Sequence, residues 1–456
     1  MAVVIVGAGP TGATLAYLLA MRGIEVILIE AARFERLFRG EGLMPGGLQA
    51  LEQMGLLDLL SSLPTQQIQA WEFVVNGQTV VRAVEPESLG VFRPTIISQP
   101  AFLEAVLHQA QTYPNLRFVR GQVQELIWEA DDNRVAGVVV RSTGQPASQS
   151  TGQPAGQPEI QQPEVQQPEV QQIEADLVIG ADGRGSTLRR LASLPLAKLD
   201  YDADLLWFRL PAPLPLAPDL LAPDLGDSSH QSASARPDRR HTFYGFIRGS
   251  ESFGAYTAWD ASVKLAYLLP RQRAPLTDVD AKPSSRSPSD WASHLATLAP
   301  DWFAAHLRRH ARDLEPPLLL NVVFGRCPTW HRPGLLLLGD AAHPMAPIRA
   351  QGIHLAFRDV IVAANRLVPL LQSEVNDRRA LDAALPLIQA EREPEISRCQ
   401  MLQRQEQRQA DLLCRFVVLR GTVSRLAPLL HPVITHRWMA RQTELRFGTQ
   451  PVKLLV

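Results

Sequence analysis

Short apolar runs closed by glycine alternate with helix-grade stretches from the very start of the chain. Val3 to Val6 is β-branched, as suits a strand buried on both faces. Gly7-Ala8-Gly9-Pro10-Thr11-Gly12 follows, then a helical stretch Ala13 to Met21, a stop at Gly23 and a second buried strand, Glu25 to Glu30. This is a βαβ unit. Leu43 to Leu60 has helical apolar spacing, Trp71 to Arg82 alternates around an Asn76-Gly77 turn, and Pro100 opens a helix over Ala101 to Thr112. Leu116 to Trp128 and Arg134 to Arg141 read as a smaller hairpin system. Ala175 to Ala181 and Gly334 to Leu338 read as buried strands, each running into a glycine-acid turn. Leu205 to Pro270 is richer in aromatics and predicts a mixed sheet large enough to wall a pocket. Trp291 to Ala311 reads as helix, Leu318 to Phe324 as strand and His354 to Leu371 as a long helix. Beyond Leu381 the pattern is helical, with Leu412, Phe416, Leu419, Val423 and Leu426 at helical spacing.

Two stretches break the pattern. Residues 143–172 repeat TGQPA and QQPEV, and a tract with so little apolar content cannot bury enough surface to offset its ordering entropy. It reads as a solvated insertion between two strands, as does a second Pro/Ser/Asp-rich stretch, Pro211 to Arg239.

Composition narrows the function. With 456 residues the chain exceeds one ordinary core, and a net charge of −1 gives no electrostatic reason for a nucleic-acid partner. Cys327, Cys399 and Cys414 have neither metal-ligand nor disulfide-framework spacing, which suits a reducing cytoplasm; no metal ligands are assigned. No basic region precedes the apolar N-terminus and no apolar run reaches spanning length, so membrane contact is expected to be peripheral at most.

The candidate chemistry sits at strand ends. Gly7 permits a tight turn, Gly9 lets backbone approach a pyrophosphate, and Gly12 lets the helix pack closely on the strand. The free N–H groups of the helix N-terminus favour phosphate, and Glu30 can accept hydrogen bonds from both hydroxyls of an adenosine ribose. Asp182-Gly183 and Gly339-Asp340 close two further strands, where doubly wound sheets bind ligands. The three segments are scattered along the chain, so one cofactor is gripped by a domain that the aromatic sheet interrupts.

On these residues the sequence resembles the single-component flavoprotein monooxygenases of the aromatic-hydroxylase type. The three fingerprints are the GxGxxG with its distal acid, the mid-chain Asp182-Gly183, and Gly339-Asp340 followed by His343-Pro344 and a Pro-x-x-x-Gln-Gly turn, Pro347 to Gly352. They stand in the family order across residues 1–372 and leave the last helical region uncovered. The resemblance implies an α/β fold: a Rossmann-like FAD-binding domain (1–70, 98–196 and 328–372), a mixed-sheet substrate domain (71–97 and 197–327) and a C-terminal helical region (373–456). It implies FAD as cofactor, NAD(P)H as electron donor, and oxygen plus an aromatic or polyenic small molecule hydroxylated through a flavin C4a-hydroperoxide. It also accounts for the lack of a second GxGxxG. Gly7, Gly9, Pro10, Thr11 and Gly12 would then cradle the pyrophosphate and Glu30 the ribose. Arg39 would lie near the flavin and Gln99 at the ribityl chain or pyrophosphate. Asp182 and Gly183 would lie beside the pyrophosphate and also serve the nicotinamide, and Gly339 and Asp340 would meet the ribityl chain or the ribose-side pyrophosphate. Pro347, Ala350, Gln351 and Gly352 would face the flavin pyrimidine edge, where the start of a helix suits the anionic reduced flavin.

No nucleophile stands out; Arg39, Pro347 and His354 come nearest to catalytic candidates. The chain departs from the family in having Arg349 and Ala350 where glycines are common and His354 where asparagine is. Arg349 is expected to point to solvent, and His343 and His354 to cap or pack. Trp207, Phe208, Phe243, Tyr244, Phe246, Tyr256 and Trp259 either line the substrate pocket or form ordinary sheet core. Two alternatives stay open: a reductase or dehydrogenase of the same fold, like the isoprenoid reductases, and a non-catalytic FAD-bearing protein whose Arg-rich C-terminal helices dock on a partner or an anionic membrane. Substrate identity, NADH against NADPH and oligomeric state are not legible.

Overall fold

The computed structural model describes residues 1–32, 41–130, 133–142, 169–201, 203–215, 238–270 and 286–456. Two sheets organise the described residues. The first has eight strands in the order Val170–Glu174, Val135–Ser142, Leu116–Trp128, Glu25–Glu30, Ala2–Val6, Leu177–Gly180, Leu335–Leu337, His331–Arg332. The five strands from Leu116–Trp128 to Leu335–Leu337 pair in parallel, and antiparallel strands close both edges. Alternation along the parallel strands decides which core each side chain joins. Val3, Ile5 and Leu28 face helices α1 (Pro10–Met21), α3 (Gln99–Ala110) and the much later α7 (Gln351–Leu371), whereas Val4, Val6 and Ile29 pack with Val138, Val140 and Trp330 on the other side.

The second sheet has seven strands, Leu318–Leu320, Ala203–Leu210, Val263–Pro270, Glu251–Thr257, Thr242–Arg248, Ala70–Val75 and Gln78–Val84. The last two form the hairpin read from the sequence, with Asn76 and Gly77 both at positive φ (48° and 83°), as a type I′ turn requires. One face of this sheet, with Phe208, Tyr244, Phe246 and Phe253, packs on α5 (Pro288–Leu298) and α6 (Asp301–Arg309). The other face, with Trp71, Phe243 and Tyr256, turns toward the first sheet's domain. The aromatic set named from the sequence is thus divided: Phe208, Tyr244 and Phe246 are helix-covered core, and Trp207, Phe243, Tyr256 and Trp259 belong to the opposite side.

Several element boundaries differ from the sequence pattern. The stretch 43–60 is not one helix: Leu43 pairs in a short strand, α2 covers Pro45–Gln53, and Gly55 at φ 71° breaks it before a 3₁₀ turn at Leu57–Ser62. Pro300 splits 291–311 into α5 and α6, because proline lacks the donor that a continuing helix needs. The strand beginning at Leu318 ends at Leu320. Val170 to Gln172 pair with Val139 to Arg141 as an edge strand, since a backbone ladder needs no apolar side chains; residues 143–168 lie outside the described residues. Ala212 and Leu214 are buried in the helix-covered core rather than in a solvated insertion, whose positions 216–237 also lie outside the described residues. Two long helices complete the described chain, α8 (Arg378–Arg415) and α9 (Val417–Phe447), with short α4 (Thr187–Leu191) earlier.

Candidate functional site

The three strand-to-turn segments converge. Gly7 (φ 101°) closes its strand so tightly that a Cβ there would fall 2.4 Å from the carbonyl oxygen of Ala181, at the end of the neighbouring strand. A Cβ on Gly12 would lie 1.8 Å from the Gly7 oxygen, and one on Gly339 2.3 Å from Thr11 Oγ1. Gly9 and Gly183, by contrast, have nothing within 4 Å of that position, so open space lies over both turns. Pro10 begins α1 without a side-chain cap, leaving the first-turn N–H groups for a ligand. Glu30 accepts the N–H of Ala8 (2.8 Å) and of Ala32 (2.8 Å), which fixes the acid beside the loop. An open cradle above uncapped helical N–H groups, flanked by a fixed carboxylate, fits the diphosphate and ribose of a dinucleotide.

Asp182 takes the Ser186 hydroxyl (2.5 Å) and the N–H groups of Thr187 (2.6 Å) and Leu188 (3.1 Å), so its carboxylate caps α4. Burial pushes its pKa up against those bonds. Asp340 follows Gly339, and its Oδ1 lies 3.8 Å from a Cβ built on Gly352 at the start of α7. Gln99 is the buried first residue of α3 behind the Ser98 cap. Arg39 lies outside the described residues.

The turn before α7 contains the chief surprise. Arg349 and Ala350 are both left-handed (φ 59° and 49°), the backbone expected of glycine. Arg349 does not reach solvent, contrary to expectation. Its guanidinium lies over Trp438 (4.6 Å), Phe73 (4.9 Å) and Trp71 (5.2 Å) and pairs with Glu406 (3.0 Å). Desolvated aromatic faces attract a guanidinium, and the carboxylate balances its charge. Gln403 Nε2 donates to the carbonyls of Ala346 (2.8 Å) and Ile348 (2.7 Å), while Gln351 Nε2 donates to those of Arg349 (2.8 Å) and Leu445 (2.7 Å). The bend is therefore held by Gln403 of α8 and, through the fingerprint residue Gln351, by the Leu445 carbonyl of α9; no fingerprint marks Gln403 or Leu445, and the Gln-rich, Arg-rich composition of that region was the only signal. Pro347 is exposed on the turn.

Neither histidine is placed as an open base. His354 is fully buried against Gly46 and Gly47, and burial, assisted by Arg358, pushes its pKa down to about 3. His343 Nε2 lies 2.7 Å from Asp359 Oδ2, inside a buried charge group completed by Arg358, Arg392 and Glu395.

A second buried group was not foreseen. Tyr256 OH donates to Glu41 Oε2 (3.2 Å), and Lys264 Nζ lies 3.8 Å from Glu41 Oε1. Lys264 pairs in register with Tyr256 on one side and with Arg209 on the other. Glu41 adjoins Gly42, whose built Cβ would come within 2.9 Å of the Ala350 side chain, so the group abuts the bend. Burial raises the Glu41 carboxyl despite Lys264, and burial lowers the Lys264 ammonium despite Glu41.

Residues 1–213 and 322–387 match the FAD binding domain family, more than half of the chain. The chain belongs to that family. It is an FAD-dependent monooxygenase. It is 28% identical to the 6-methylpretetramide 4-monooxygenase of Streptomyces rimosus over 99% of this chain and 93% of the relative. It is 24% identical to the 3-demethoxyubiquinol 3-hydroxylase of Escherichia coli, over 80% of this chain and 79% of that one. The crystal structure of p-nitrophenol 4-monooxygenase PnpA from Pseudomonas putida superposes with a TM-score of 0.66 at 15% identity, covering 98% of each chain, and so shares the fold. Among the described residues of this flavin monooxygenase no helix is long and apolar enough to cross a membrane.

Proposed function

We propose that this FAD-dependent monooxygenase takes electrons from NAD(P)H and hydroxylates a ring that already bears a hydroxyl group. The ring would lie against the sheet face of Phe243 and Tyr256. The observation that carries this reading is the buried Glu41–Tyr256–Lys264 group beside the Arg349–Ala350 bend. FAD, once bound, supplies electron uptake and oxygen activation. Around it, Gly9, Pro10, Thr11 and Gly12 hold the diphosphate, Glu30 the ribose, Gln99 and Asp340 the central chain, and the N–H groups of Ala350, Gln351 and Gly352 the flavin ring. Asp182 and Gly183 stay with the diphosphate edge. The protein's own part is then to hold the substrate oxygen on Lys264 and Tyr256 and to move its proton onto a Glu41 carboxylate. A ring oxygen without its proton is the better electron donor, and a carboxylate with a raised pKa is the better base for it. Relatives named as a 6-methylpretetramide 4-monooxygenase and a 3-demethoxyubiquinol 3-hydroxylase support a substrate of this class.

The test is the absorbance spectrum of purified protein, then NADH and NADPH oxidation in air with a panel of phenols and quinols. Yellow protein whose oxidation accelerates with one compound, with oxygenated product found, is the expected result. Yellow protein that consumes no NAD(P)H with any of them overturns the reading.

A further inference from the structure

α9 is apolar on two opposite sides. Its inner side, with Val423, Ala427, Ile434 and Trp438, packs on the Ala70–Val75 and Gln78–Val84 hairpin. Its outer side carries Val418 (83% exposed), Leu426, Leu429 (77%), Leu430 and Val433, joined by Phe416 at the break from α8. Of the apolar positions at helical spacing in the sequence, Val423 packs inward, whereas Leu412, Phe416, Leu419 and Leu426 are exposed. Monomeric proteins seldom leave so continuous an apolar surface uncovered.

The charges beside it are of one sign. From Leu412 to Thr443 the chain has five arginines and no carboxylate, against a net charge of −1 for the whole protein. Arg425, Leu429, Val433 and Arg437 are spaced four apart and share one stripe, with exposed arginines at both ends. A two-fold self-contact through this face would oppose arginines to their own copies, which disfavours a second copy of the chain. An apolar stripe rimmed by arginine matches instead the interface of a negatively charged bilayer.

We propose that the outer face of α9 seats the enzyme on an anionic lipid surface, with the side chains of Phe416, Val418 and Leu429 in the acyl boundary and Arg415, Arg425 and Arg437 at the headgroups. The helix lies in the surface and does not cross it. The experiment is co-sedimentation of the FAD-loaded full chain with vesicles of phosphatidylcholine alone and with phosphatidylglycerol added. Binding is expected only to the anionic vesicles and is expected to weaken with salt. Val418→Glu with Leu429→Glu should lower it more than tenfold, with flavin absorbance and thermal midpoint unchanged. Arg425→Gln and Arg437→Gln should each lower it about fivefold. Failure of the wild-type protein to bind anionic vesicles better than neutral ones overturns the proposal. So does a dimer in solution that the Val418→Glu, Leu429→Glu pair dissociates, because a second copy would then be the occupant.

Discussion

The enzyme buries two groups of opposing charges, and they are built to different ends. Between α7 and α8, Arg392 pairs through Nε with Asp359 (2.7 Å) and through Nη1 with Glu395, which receives both Arg358 Nε (3.0 Å) and Nη2 (2.8 Å) and the N–H of Thr449 (2.8 Å). Here attraction exceeds desolvation. Burial would raise both acids, but Arg392 and its neighbours hold Asp359 below the usual carboxylate range and Glu395 at about 2. Beside the bend, Glu41 has one ammonium at 3.8 Å and a phenol, with Asp260 and Arg209 acting on it from farther off, and desolvation prevails: the acid is raised and the lysine lowered. The first group is a lock joining the Gly339–His343 segment to the C-terminal helices. The second keeps unspent proton affinity, which is what a site for moving a substrate proton needs.

The sharpest break in this comparison is Arg392→Met. It takes one guanidinium away from two buried carboxylates, leaving Asp359 to His343 and Glu395 to Arg358, and should cost about 3 kcal/mol of stability, read as a lower urea midpoint. An unchanged midpoint would refute the lock. Glu41→Gln should do the reverse: turnover falls about 10²-fold with the preferred phenol, while the urea midpoint stays level or rises, since an acid with a raised pKa costs stability as pH rises through that value. Loss of stability without loss of turnover would make Glu41 a second lock.

Much of this was readable in the sequence, and the boundary is physical. The βαβ unit and the two later glycine-acid turns are local: Gly7, Gly12 and Gly339 announce close approaches that no other residue could make. The Arg349 cage, the Gln403 clamp and the Glu41–Lys264 pair each join residues 55 or more apart in sequence whose types have no distinctive spacing. Arg349 was misread because an arginine in a turn ordinarily reaches water; only the packing of α9 brings Trp438 over it. Likewise, helical spacing marked Leu412, Phe416, Leu419, Val423 and Leu426 but neither the break at Phe416 between α8 and α9 nor which of these side chains would face outward.

The lock also has a pH signature. Glu395 titrates at about 2 in the folded protein against an ordinary value of 4.5, so its contribution is complete above about 4.5 and is lost as pH falls toward about 2. Urea midpoints measured down that range should decline in the wild type and decline less steeply in Arg392→Met. Equal slopes in the two proteins would separate acid unfolding from this group.

The smallest expected effect tests why the bend keeps side chains at left-handed positions. Two consecutive non-glycine residues at φ 59° and 49° each carry a cost of about 1–2 kcal/mol. At Arg349 the guanidinium recovers that cost from three aromatic faces and Glu406. Ala350 has no such polar return; its methyl packs at the edge of the cluster of Met44, Trp71 and Tyr256, over Gly42 and next to Glu41. Ala350→Gly should therefore stabilise the protein by about 0.5–1 kcal/mol, the strain relief being partly offset by the greater freedom of glycine in the unfolded chain. If the methyl is present to press the 41–42 segment into place, the same variant should raise KM for the phenol while leaving FAD affinity unchanged. A stabilised variant with unaltered KM would assign the strain to the backbone turn alone and leave Glu41 positioned by Tyr256 and Lys264.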